Sequence, residues 1–101
     1  MSTTKTKPFD PAKYLDDSES IAAYISDALE SEDPAFVAYA LGVVARARGM
    51  SEVAREAGMS RESPYRALSA DGNPEFATVL RVVRALGLRL SATPVQQRKS
   101  A

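Results

Sequence analysis

The stretch Ser51-Glu52-Val53-Ala54-Arg55-Glu56-Ala57-Gly58-Met59-Ser60 decides the fold. It predicts a short helix, a tight turn and the start of a second helix. Ser51 is placed to cap the first helix through its hydroxyl. Ala54 is small enough for a second helix to cross close by, and Gly58 can take the positive φ that ends a helix sharply. Met59 supplies an apolar plug, and Ser60 is placed to cap the next helix. A helix-turn-helix needs this order of residues at its corner, and such a unit lays its second helix in the major groove of DNA. The expectation from this segment is a DNA-binding unit.

A chain of 101 residues with 45% apolar content supports one domain with a modest core. The four tyrosines, three phenylalanines and absent tryptophan point to an aliphatic, helical interior. Cysteine is absent, so neither disulfides nor thiolate metal sites arise. Histidine is absent too, which removes the commonest general base and metal ligand. No enzyme, cofactor or metal is expected. No apolar run approaches the roughly 20 residues needed to span a membrane. The N-terminus runs into prolines rather than an apolar signal core. A cytoplasmic protein is the expectation.

Net charge is zero, but its distribution is not even. Residues 1–45 hold three lysines against eight acids, a net of −5, while residues 46–89 hold eight arginines against five acids, a net of +3. Arg98 and Lys99 add +2 in the tail. The positive part coincides with the predicted helix-turn-helix, where phosphates would need neutralising. The acidic part suits a basic protein partner.

Along the chain, residues 1–15 carry Pro8 and Pro11 without helical periodicity and are expected to form a flexible arm. Asp16 and Glu19 have capping-box spacing before Ile21, Tyr24, Ile25, Ala28 and Leu29, one stripe of an amphipathic helix. Asp33 and Pro34 restart the chain as cap and first-turn proline. Phe36, Ala40, Val43, Val44 and Ala47 supply the second stripe, ended by Gly49. Two short helices follow at 52–57 and 61–69. Asn73 is placed to cap a last helix beginning at Pro74, with Phe76, Val79, Leu80, Val83 and Leu86 as its apolar line. The alternation of Leu88, Leu90 and Ala92 with Arg89 and Ser91 gives a short C-terminal strand signal. The expected architecture is all-α: a five-helix domain over residues 16–93, with the motif at 51–69 and a disordered tail at 94–101.

Arg61, Glu62, Ser63, Tyr65 and Arg66 crowd the first turns of the second motif helix. Arginine can make a bidentate contact to guanine, and glutamate can accept from cytosine N4. Tyr65 and the amides at the helix starts marked by Ser51 and Asn73 suit phosphates better. The plainer alternative makes Arg61, Glu62 and Arg66 a solvated helix face with weak pairing. Asp16, Asp17 and Glu19 could be drawn as a metal or acid–base cluster, but acids at a helix start serve capping and the macrodipole. Phe9 and Tyr14 in the arm either fold back on the domain or, with Leu15, Asp16 and Asp17, anchor a partner. Gly42, inside a helix, marks close packing.

The segments ARGMSEVAREAGMSRES (47–63) and YRALSADGNPEFATVLRVVRALGLRL (65–90) together resemble the addiction-module antidote family, the HigA-like antitoxins. These belong to the wider class of phage-repressor-type (XRE/Cro-like) helix-turn-helix proteins. FDPAKYLDDSESIAAYISDALESEDPAFVAYALG (9–42) resembles the family's leading segment, so the likeness spans about residues 8–93. The resemblance implies an antitoxin that neutralises a small basic toxin of the RelE/HigB type encoded alongside it. It also implies a homodimer that represses its own operon by binding double-stranded operator DNA. Pro64 departs from the pattern, because the family's recognition helix usually has an aliphatic residue there. A proline deep in a helix costs about 3 kcal/mol or more. It therefore predicts a recognition helix that starts later or tilts, with base contact weighted towards Arg66. Two other readings stand beside this one: a stand-alone prophage-type repressor, and a helical adaptor that has lost DNA binding.

Overall fold

The computed structural model describes residues 17–59 and 63–95. Five helices follow in order: α1 (Ser18–Glu30), α2 (Pro34–Arg48), α3 (Met50–Glu56), α4 (Pro64–Ala67) and α5 (Phe76–Ala85). No strand occurs among the described residues. Leu88, expected to begin one, instead serves the end of α5: its N–H donates to the Val83 carbonyl while that of Gly87 donates to Arg84. That is a Schellman turn, which turns the leucine back onto the core.

Helix α1 starts one residue later than its capping box predicts. Asp17, not Asp16, is the cap, and its Oδ1 accepts from the Ser20 N–H at 2.7 Å. That bond holds the Asp17 carboxyl below its ordinary value. Its contribution is therefore present above the usual carboxylate range and lost as pH falls through the depressed value. Ile21, Ile25 and Ala28 are buried as the stripe requires, whereas Leu29 is left partly exposed. Asp33 caps α2 as expected, accepting from Ala35 at 3.0 Å with Pro34 in the first turn.

Helix α2 is the central strut, buried at Ala38, Ala40, Leu41, Gly42, Val43, Val44 and Ala45. A methyl group at position 42 would overlap the carbonyl oxygen of Leu68, just beyond α4. One residue, Gly49 at φ 113°, both ends α2 and precedes α3. Ser51 therefore lies inside the first turn of α3 instead of capping it. Helix α3 packs against α2, α4 and α5. On α5 the buried line is Thr78, Val82, Val83 and Leu86. Phe76 and Leu80, part of the expected apolar line, lie 68% and 42% exposed, so the apolar face of α5 is wider than the part the core covers. Glu75, not Asn73, holds the cap position of α5, and it makes no side-chain cap bond.

Two substitutions test this framework. Gly42→Ala is expected to lower unfolding free energy by about 1–3 kcal/mol, because backbone lies where the methyl must go; urea denaturation measures it. Arg81→Ala removes the Nε–H bond to the Ala57 carbonyl, 2.8 Å long and spanning α5 to the end of α3. It is expected to cost about 1–2 kcal/mol in the same assay.

Candidate nucleic-acid interface

The corner between α3 and α4 is built from backbone bonds that the sequence dictates. Gly58, at φ 72°, permits the reversal. The Met59 N–H donates to Ala54 at 2.9 Å, and the Gly58 N–H donates to Arg55 at 3.2 Å, again a Schellman pair. Met59 and Ala54 are both buried beneath it. The Arg81 guanidinium takes the Ala57 carbonyl that the turn leaves over. These features were legible in the sequence except for Arg81, whose partner is 24 residues away along the chain.

Helix α4 differs from the expected 61–69 segment. It runs over four residues, with Pro64 in its first turn and Ser63 as cap, Oγ accepting from the Arg66 N–H at 3.3 Å. The late start follows from proline itself, which lacks the amide an interior position needs but fits the first turn. Leu68 is fully buried and Ala67 nearly so. Gly72 returns the chain so closely that a methyl there would overlap the carbonyls of Arg66 and Ala67. The short helix is thus held from both sides by backbone-close contacts.

From that mount, Ser63, Tyr65 and Arg66 point to solvent. Tyr65 is 55% exposed, and the Arg46 guanidinium lies 5.8 Å from its ring centroid, within cation–π range. Arg46 is a residue that the sequence reading did not single out; its place at the corner depends on the last turn of α2 ending near Tyr65 of α4. Ser51 is exposed on the first turn of α3. Asn73 is exposed, and it lines a shallow apolar cleft with Leu29, Pro34, Val37 and Phe76. Ser60, Arg61 and Glu62 lie outside the described residues, as do Phe9, Tyr14, Leu15 and Asp16. Asp17 is described, and its carboxylate is engaged as the α1 cap.

The charges here are exposed and weakly paired. The Arg55–Glu52 pair, 3.9 Å apart and well exposed, contributes little. Burial raises the Tyr24 hydroxyl above its ordinary value, with Tyr39 adding to the effect, so it is protonated near neutrality. No group of three or more acidic, histidine or cysteine side chains fit to hold a metal occurs among the described residues. None of the described helices is long and apolar enough to cross a membrane. The geometry offers cations, hydroxyls and an aromatic ring on a firmly held ledge, which is chemistry for contacting a polyanion.

Residues 5–94 match the family described as probable addiction module antidote protein. A relative from Haemophilus influenzae (strain ATCC 51907 / DSM 11121 / KW20 / Rd), itself described as an uncharacterized protein, is 46% identical over 99 residues. That alignment covers 98% of this chain and 99% of the relative. No solved structure matches the chain.

Proposed function

The chain belongs to the family of probable addiction module antidote proteins, and we propose that it is the HigA-like antitoxin of a type II toxin–antitoxin module. In this reading it neutralises a RelE/HigB-like toxin encoded alongside it and represses its own operon through an XRE/Cro-like helix-turn-helix. The family supports the toxin partner. The observation that carries the DNA half is the corner itself, a Schellman-turned α3 leading to a short helix whose exposed side chains include Tyr65 and Arg66.

Arg66 is the base-reading residue, with a fork suited to guanine in the major groove. Ser51, Ser63 and Tyr65 serve phosphates, and Arg46 joins them beside Tyr65; Asn73, expected to join them, instead lines the cleft with Leu29, Glu32 and Pro34 at the other end of α2. Ser60, Arg61 and Glu62 complete the segment. Two copies are needed to cover a two-fold operator with half-sites about 34–36 Å apart. Phe76 and Leu80, exposed one turn apart on α5, are the apolar contact between them. The acidic half meets the basic toxin.

Arg66→Ala is expected to weaken operator binding by about 1–3 kcal/mol and to relax sequence preference. Arg98→Ala, in the C-terminal tail, is expected to do much less; a gel shift over a salt series reads both. Equal losses from the two, or none, count against groove insertion. A chain that binds the toxin but shows no salt-dependent DNA binding is an adaptor instead. Light scattering is expected to report a dimer, and Phe76→Asp a monomer whose footprint shrinks to one half-site.

A further inference from the structure

Residues 17–45 contain six acids and neither lysine nor arginine. All six are exposed, and no described cation pairs with any of them. Asp17 and Asp33 are partly occupied as helix caps. Asp27 and Glu30 carry no such bond; Asp27 neighbours Tyr24 on α1, and Glu30 lies one step further round, on the solvent-facing side of the helix.

The two flanks of α1 are unequal. On one, Ala22, Ile25, Ser26 and Leu29 line a crevice together with Leu88, Arg89 and Leu90 of the C-terminal segment. On the other, Tyr24 stands close enough to Tyr39 of α2 for the two hydroxyls to influence each other. Tyr39 and Phe36 are neighbours on the outward side of α2, 43% and 40% exposed. Two large rings half in water on one helix of the hairpin, and carboxylates without a described cation partner on the other, have the make-up of an interface, an apolar centre with a charged rim.

We infer that this flank of the α1–α2 hairpin, with Phe36 and Tyr39 as anchors and Asp27 and Glu30 as steering charges, docks a basic protein. The inference rests on the toxin reading above and names the surface that serves it. A second copy is a poor occupant, because two such faces would set carboxylates against carboxylates. DNA is repelled for the same reason. A protein rich in lysine and arginine, with an apolar depression between them, fits.

The test uses the full chain and the purified product of the adjacent toxin gene, with association and dissociation measured at low and high salt. Phe36→Ala/Tyr39→Ala is expected to speed dissociation about thirtyfold and leave association nearly unchanged. Asp27→Asn/Glu30→Gln is expected to slow low-salt association about tenfold, flatten the salt dependence and leave dissociation alone. Operator binding and melting temperature should stay unchanged in both. If the aromatic variant melts early, the charge variant decides, since its side chains touch no core. Wild-type kinetics in the charge variant overturn the surface, as does binding that is lost only on deletion of residues 1–15. A wild-type chain that does not bind the toxin at all overturns the toxin reading, and this surface with it.

Discussion

The contact on which the rest depends is the approach of α2 to the chain just beyond α4, at Gly42 and the Leu68 carbonyl. A helix of four residues has no independent stability in water, because nucleation costs more than its few bonds return. Helix α4 exists because Leu68 and Ala67 are sunk in the core and the backbone on both sides is pressed against glycine. The Ser63 cap and the Ser69 hydroxyl, which donates to the Arg66 carbonyl at 2.8 Å, close its two ends. Any side chain at position 42 would push the ledge away from the domain and carry Tyr65 and Arg66 with it.

Much of this arrangement was legible in the chain because it is local. The stripe Ile21, Ile25, Ala28, the Asp33–Pro34 start and the Gly58–Met59 corner all follow from spacing and residue chemistry, and each stands where it was expected. Errors arose where two residues competed for one job. Gly49 both ends α2 and precedes α3, which left Ser51 no cap to make. Asp17 displaced its neighbour Asp16, and Ser63 with Pro64 took the helix start that Ser60 was expected to mark. On α5, periodicity marked an apolar face without telling which edge of it the core would cover. The roles of Arg46 and Arg81 could not be read at all, since each exists only once distant segments are packed together.

The opposite charges of the two halves also gain a spatial meaning. Helix α2 is 15 residues long, or about 22 Å at the usual rise. Phe36 and Tyr39 sit in its first half, next to the acids, and Arg46 sits in its last turn, beside Tyr65. One buried rod therefore separates a surface suited to cations from a surface suited to anions. Like charges within each half need not crowd together, and attraction between the halves is weakened by distance and by salt.

The short α4 has a further consequence, for divergence. Ser63, Tyr65 and Arg66 project from the ledge without entering the core, while Ala67 and Leu68 sink into it. Substitutions at the three projecting positions stay within the small stability changes typical of surface sites, the Ser63 cap excepted. On the proposed DNA-binding reading, Arg66 and the residues beside it are thus free to vary while the scaffold stays fixed. On that reading, duplicated copies of such a gene within one genome can drift to different binding sites, and so become insulated from one another, without passing through an unstable ancestor.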